Sequence, residues 1–265
     1  MKKLNKLVWM GVMMALPFAA SADLSTEVKQ ALATNNTTIE SSLTDISKNM
    51  AAIFAHRSLA PAATLGGGVF GAEIGLDVND VDLDTAPLKK LVNAGGSQLE
   101  SKYDISAIPV PTLSAAFGLP VLPLDFAVNY LPSVSGTSLM SAEVKYGVIE
   151  GGVALPAVSV SANYSTATLA DTFDVTSYGA DVSISKGFGV GVKFVPFAGV
   201  GYLSSNMSIN DKAKPAATTI KTSYDSTATK LKVGAAIELG VFNLVGQWDK
   251  IGTYSAYSAR VGLKF

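Results

Sequence analysis

Two rhythms divide the chain. Between residues 24 and 57 apolar residues recur at helical spacing, whereas from about Leu65 to the end apolar and polar residues alternate with a period of two. The closing segment is the plainest case. Tyr257, Ala259, Val261, Leu263 and Phe265 fall on one face, and Ser258, Arg260, Gly262 and Lys264 on the other. Upstream, Leu231, Val233 and Ile237 oppose Lys230, Lys232 and Glu238, and Phe242, Leu244 and Trp248 oppose Asn243, Gln247 and Asp249. Val200 and Tyr202 oppose Gly199 and Gly201, Val144 and Tyr146 oppose Glu143 and Lys145, and Phe126, Val128 and Tyr130 oppose Asp125 and Asn129.

The alternation predicts strands near 64–78, 107–117, 122–131, 139–149, 153–166, 172–185, 188–204, 227–239, 241–249 and 254–265. Pro109 and Pro111 make 107–117 the least regular of them. A strand of roughly 9 to 11 residues crosses a bilayer at a tilt. The fold class expected is therefore all-β: a transmembrane antiparallel up-and-down barrel of about ten strands, roughly 8 to 12 fitting the pattern. Short links at 118–121, 150–152, 186–187 and 240 should alternate with longer ones at 79–106, 132–138, 167–171, 205–226 and 250–253. Tyr130, Tyr164, Tyr202, Trp248 and Tyr257 should then ring one rim, and Phe117, Tyr146, Phe188, Phe242 and Phe265 the other. A soluble β-sandwich would show similar stripes. Its polar faces would carry more charge than the Ser, Gly, Asn and Thr found here.

In the first part, Ile39, Leu43, Ile46, Met50 and Ile53 step by four and three, the stripe of an amphipathic helix that needs a partner surface. Residues 35–38 separate it from a shorter stripe at Leu24, Val28 and Leu32. Ahead of both, Lys2, Lys3 and Lys6, an apolar run from Leu7 to Phe18 and Ala20-Ser21-Ala22 have the form of a cleavable export signal. The division expected is a signal peptide at 1–22, a periplasmic helical segment or plug at 23–60 and a barrel at 61–265. Composition agrees with a membrane protein: 48% hydrophobic residues, 15% charged and a mean hydropathy of +0.33. After the first two dozen positions no apolar run is long enough for a membrane helix. With no cysteine there is neither lipoprotein anchor nor disulfide framework. The formal charge of −1 becomes about −4 on loss of the three signal lysines, with no basic patch for nucleic acid.

The last strand, with Tyr257, Val261, Leu263 and the terminal Phe265 on one face, resembles the C-terminal signal by which outer-membrane barrels are recognised by their assembly machinery. The stretch from Pro111 to Pro120, with its Gly-Leu-Pro turn and the amphipathic strand after it, looks like bacterial outer-membrane proteins of unassigned activity. The resemblance implies a Gram-negative outer-membrane location, with outer-membrane lipid and the barrel assembly machinery as partners.

Candidate chemistry is confined to ionisable residues on the inward face: Glu73, Asp77, Asp125, Glu143, Lys145, Asp181, Lys193, Lys230, Lys232, Glu238, Asp249, Arg260 and Lys264. Both signs are present, so an internal salt-bridge lattice is the plain expectation. Omptin-type and phospholipase-type barrels require a histidine beside Asp or Ser. The one histidine here, His56, precedes the barrel and is expected at a helix end on the periplasmic side. No catalytic, cofactor or metal site is expected. Asp77, Asp80, Asp82 and Asp84, at near-alternate positions, could hold calcium, and an exposed, solvated loop explains them equally well. Inward glycines such as Gly67, Gly75, Gly199 and Gly201 leave interior space for the helix or for a small solute. The function expected is a narrow or plugged channel for a small solute; the alternative is a non-conducting barrel that displays its outer loops.

Overall fold

A computed structural model describes residues 28, 30–32, 37–66, 70–82, 84–94, 107–134, 136–213 and 221–265. The assigned export signal and Gly67 lie outside these residues. Ten strands form one closed antiparallel barrel: β1 (Gly71–Asp82), β2 (Ala107–Gly118), β3 (Leu124–Val134), β4 (Thr137–Ile149), β5 (Ala157–Leu169), β6 (Phe173–Ser185), β7 (Val192–Ile209), β8 (Ser223–Leu239), β9 (Phe242–Ile251) and β10 (Tyr254–Lys264). Each strand pairs with its sequence neighbour, and β10 pairs with β1 from Glu73↔Lys264 to Val81↔Ala256. The closing register is extended by Phe265, whose N–H donates to the Ala72 carbonyl at 2.8 Å and whose carbonyl accepts from the Ala72 N–H at 3.0 Å. We call the rim that carries Phe265 the lower rim.

The wall is inverted relative to a soluble protein. Its inward positions are polar and buried, including Asp77, Asp125, Asn129, Ser141, Glu143, Asp181, Lys230, Gln247 and Arg260. Its outward positions are large, apolar and exposed, including Ile74, Leu113, Val128, Val144, Val182, Val200, Val233, Leu244 and Val261. An apolar exterior around a closed wall is unstable in water and stable in lipid, and closure pairs every strand with two neighbours. The fold defines a membrane-spanning β-barrel. Among the described residues no helix is long and apolar enough to cross a membrane.

The links differ from the expected alternation of short and long. At the upper rim only 83–106 and 210–222 are long, while β3–β4, β5–β6 and β9–β10 join through tight turns at 135–136, 170–172 and 252–253. The strands go on pairing past the aromatic girdle, up to Val134↔Thr137 and Leu169↔Phe173, where lipid no longer imposes an alternating pattern. β2 pairs with β1 along its length but with β3 only from Leu113 to Gly118. Pro109 and Pro111 lie in the stretch with one free flank, where a missing N–H breaks no ladder.

Two helices complete the described chain. α1 (Thr37–Phe54) follows a short helical stretch at residues 28 and 30–32, and α2 (Ala86–Ala94) lies in the β1–β2 link. The Asp84 carboxylate accepts the Ala86 N–H at 2.9 Å, which caps α2. The apolar stripe of α1 is buried, with Ile39, Leu43, Ile46 and Ile53 packed against Leu91 of α2 and Val81, Val110, Leu131, Leu139, Phe173, Leu203, Met207, Tyr224, Ile251 and Ala256 of the wall. All these wall residues lie toward the upper end of their strands. The helix therefore corks the upper half of the lumen, at the end away from Phe265. Each buried Leu or Ile of the stripe contributes about 1.5–3 kcal/mol relative to exposure.

Candidate functional site

The interior below α1 is polar and is crossed by the chain itself. After Phe54, residues 55–66 descend through the lumen to the lower rim, where β1 begins. The Arg57 guanidinium turns back and donates to the carbonyls of Ala52, Ile53 and Ala55, satisfying the open end of α1. Its Nε lies 3.9 Å from Asp249, which also accepts both 2.9 Å bonds from the Gln247 amide.

Each step of the descent is tied to the wall. His56 Nδ1 lies 2.9 Å from Ser141 Oγ and Nε2 lies 3.5 Å from Glu143 Oε2, while the His56 carbonyl accepts from Lys230 at 3.3 Å. Ser58 donates to Glu143 at 2.8 Å, and the Leu59 carbonyl accepts from Arg260 at 3.1 Å. Lys145 donates to the carbonyls of Pro61 and Ala63 at 3.3 Å, and the Ala62 N–H donates to Ser185 at 3.0 Å. Thr64 donates to Glu150 at 2.6 Å, and the Leu65 N–H reaches both oxygens of Asp125 at 3.0 Å.

The wall charges pair among themselves as well. Arg260 grips Asp77 with Nε and Nη2 at 2.7 and 2.8 Å and reaches Glu73 at 3.1 Å, joining β10 to β1 across the closing seam. Lys145 pairs with Asp125 at 2.9 Å, and Lys230 pairs with Asp181 at 3.0 Å while Asn163 donates to the same carboxylate. Such buried pairs hold a conformation together chiefly because breaking one strands a charge. Lys232 is buried beside Gly199, where a Cβ would stand 2.7 Å from its side chain. Gly75 and Gly201 likewise face Arg260 and Asp181. The space freed by these glycines is filled by the protein's own polar side chains.

Several expectations from sequence are corrected here. His56 is not at a solvent-facing helix end: it is 3% exposed, within the lumen. Lys193 shares the inward parity but stands exposed among the first, turn-ward residues of β7 at the lower rim, and Glu238 pairs at that rim with Lys264 at 2.8 Å rather than with the lattice. Asp77 belongs to β1 and points inward, 0% exposed, while Asp84 caps α2, so the acidic quartet is not gathered. Among the described residues no group of His, Asp or Glu is arranged to hold a metal ion. Val195 and Phe197, which interrupt the polar face of β7, point inward and pack with Val245 and Ala236 around Leu59 of the descending segment. Only the break in alternation signalled them.

Ser141, His56 and Glu143 stand in the order of a hydrolytic relay, which makes access the deciding quantity. Ser141 is 2% exposed, and the neighbouring cavity, lined by His56, Arg57, Glu73, Asp125, Lys145 and Arg260, holds about 30 Å³. That volume admits a few water molecules at most, against the roughly 300 Å³ or more of a ligand pocket. The three side chains fasten the descending segment to β4.

Outside the lumen, Tyr130, Tyr164, Tyr202 and Tyr257 are exposed toward the upper rim, and Phe117, Phe188, Phe242 and Phe265 toward the lower one. Lys48 and Asp45, bonded at 2.8 Å on the exposed strip of α1, face the upper mouth, where the carboxylate holds the ammonium above its ordinary pKa.

No protein-family model matches the chain, and no curated protein matches it. Solved barrels resemble it at low identity. Ail, the attachment invasion locus protein of Yersinia pestis, is 9% identical over 74% of this chain and 97% of its own, with a TM-score of 0.30. Neisserial surface protein A is 11% identical over 74% and 95%, with a TM-score of 0.29. LpxR from Salmonella typhimurium is 9% identical over 71% and 99%, with a TM-score of 0.30.

Proposed function

We propose that the protein is an outer-membrane barrel sealed by its own N-terminal segment, a non-conducting body that meets its surroundings at the upper, outward-facing mouth. The observation that carries this is the continuous occupation of the lumen, with α1 in its upper half and residues 55–66 bonded to the wall down to the lower rim. The interior serves stability and excludes solute. Contact with partners falls to the exposed strip of α1 at Glu40, Thr44, Asp45 and Lys48, together with α2 and the long β7–β8 hairpin. The terminal strand, with Tyr257, Val261, Leu263 and Phe265 outward, is the part offered to the assembly machinery, and it sets the lower rim on the periplasmic side. The reading assigns no catalytic role and no cofactor.

The channel reading keeps one observation in its favour. His56 Nε2, Glu143 Oε2 and Arg57 Nε are buried without a hydrogen-bond partner in the lower lumen, where a withdrawn segment would leave a polar path. Planar-bilayer recording separates the two. The chain refolded without residues 1–22 is expected to give no unitary steps, and a chain lacking 23–66 to give steady conductance. Steady conductance from the former would establish the channel and overturn the sealed barrel.

A further inference from the structure

The four lower turns are apolar at their tips. Val121, Val153 and Val190 are 88%, 103% and 100% exposed, and Val241 is exposed beside Phe242. Leu122, Leu155 and Phe188 are exposed next to them. These residues continue the lipid-facing wall, interrupted by an exposed charge only at Glu150 and Lys193: Phe117 leads to Val121, Val148 and Ile149 to Val153, Phe194 and Val192 to Val190, and Leu239 to Val241.

The girdles differ in chemistry as well as position. The upper one is built of tyrosines, whose hydroxyls suit a headgroup layer, whereas the lower one is phenylalanine except for Tyr146. Phenylalanine brings no polar tip, so of the lower girdle residues only Tyr146 offers a hydroxyl to a headgroup layer. Span points the same way. A strand rising about 3.3 Å per residue at a tilt of about 40° gains about 2.5 Å of depth per residue. The strand stretches from Tyr130 to Leu124 and from Tyr202 to Val192 then cover about 15 and 25 Å, so an apolar band of about 25 Å reaches the turns.

The turn backbones are prepared for a dry surrounding. The Lys186 ammonium donates to the carbonyls of Gly152, Val153 and Leu155 at 2.8, 2.6 and 3.2 Å, and the Gly152 N–H reaches Leu155 at 3.0 Å. Pro120, Pro123 and Pro156 bring no N–H, and Phe188 and Phe194 exchange bonds at 2.9 and 2.8 Å. Backbone groups that leave water need internal partners of this kind. At this level Lys193 and Glu150 are exposed and Lys186 is half-buried; the two cations suit phosphate headgroups, and the Glu150 carboxylate accepts from Thr64 at 2.6 Å.

From the apolar tips, the phenylalanine girdle and the carbonyls gathered by Lys186, we infer that the lower turns are seated in the phospholipid layer. Val121, Val153, Val190 and Val241 lie at its acyl–headgroup boundary, with no collar projecting into water. The inference rests on the membrane-barrel reading, and its test keeps the two apart.

The chain has no cysteine, so single nitroxide labels can be placed at Val121→Cys, Val153→Cys and Val190→Cys. Val144→Cys on the wall is the lipid control, and Thr253→Cys in the β9–β10 turn the water control. Each labelled chain is refolded into phosphatidylethanolamine–phosphatidylglycerol vesicles, its folding checked by heat-modifiable gel migration, and collision with oxygen compared with collision with a water-soluble nickel chelate. The tip labels are expected to show an oxygen-to-nickel ratio several-fold above Thr253→Cys and close to Val144→Cys. Three independent tips keep the test open if one label prevents folding. Tip labels in water with Val144→Cys in lipid would overturn the inference alone; Val144→Cys in water would overturn the membrane-barrel reading and the inference with it.

Discussion

Replacing Arg260 by Met removes the charge that joins the closing seam to the plug while keeping a side chain of similar length. Four bonds go with it: two to Asp77, one to Glu73 and one to the Leu59 carbonyl. Asp77 is 0% and Glu73 5% exposed, so neither carboxylate can turn to water. Summing four charged bonds at about 1.5–3 kcal/mol each would overcount, because they share one guanidinium and its own desolvation. The comparable quantity is the cost of stranding a buried partner, about 3–5 kcal/mol. The assay is urea unfolding in phospholipid vesicles, followed by Trp248 fluorescence and by heat-modifiable gel migration. The midpoint should fall by that free energy at an unchanged slope. Adding Asp77→Asn to Arg260→Met should recover about 1–2 kcal/mol by removing one stranded charge. A loss below about 1 kcal/mol, or no recovery in the double variant, would refute the view of Arg260 as the ionic keystone of seam and plug.

Other perturbations separate plug from wall. Leu43→Ala hollows the α1 core and should cost about 2–5 kcal/mol locally, read as faster proteolysis of α1 with barrel migration on gels unchanged. Gly201→Val sets a Cβ 2.2 Å from Asp181 Oδ1 and 2.6 Å from the Ala180 carbonyl, so it should lower the urea midpoint by about 1–3 kcal/mol or prevent folding. Gly246→Ala, where a Cβ meets nothing within 4 Å, should leave the midpoint unchanged or slightly raised. Lys145→Ala should destabilise by about 3–5 kcal/mol because Asp125 is left buried, whereas Lys193→Ala at the exposed rim should change stability by less than about 0.5 kcal/mol. Equal effects of the two lysines would contradict the division between lattice and rim.

The wall was legible in the sequence because lipid enforces alternation. Wherever bilayer and lumen face each other across one strand, as at Met140 to Val148 or Tyr257 to Phe265, the period of two predicts both the strand and the side each residue takes. The seam between β10 and β1 follows from that pattern and an even strand count. What escaped lies where the bilayer stops acting. Above Tyr130 and Tyr164 the strands pair on in tight hairpins, so the expected long loops shorten to 135–136 and 170–172. The stripe of Ile39, Leu43 and Ile46 announces a helix needing an apolar partner but does not say which end of the barrel supplies it. The partner is a ring of single residues, such as Val81, Leu131, Phe173 and Met207, drawn from seven or more strands, and no local pattern displays such a ring. The place of His56 in the lumen, and that of Arg57 beside it, were illegible for the same reason. Their roles depend on the path of 55–66 through the lumen, and the pairings Ser58–Glu143 and Leu59–Arg260 join residues far apart in sequence.

Residues 37–66 fill the barrel from within. Amide hydrogen exchange of the unmodified protein in phospholipid vesicles tests this most directly, because protection reports burial and bonding residue by residue. Amides of α1 and of Ala62 and Leu65 are expected to exchange on the slow timescale of the wall strands β5 to β8. Exchange of 37–66 at the rate of a free peptide, with the wall still protected, would contradict the sealed lumen.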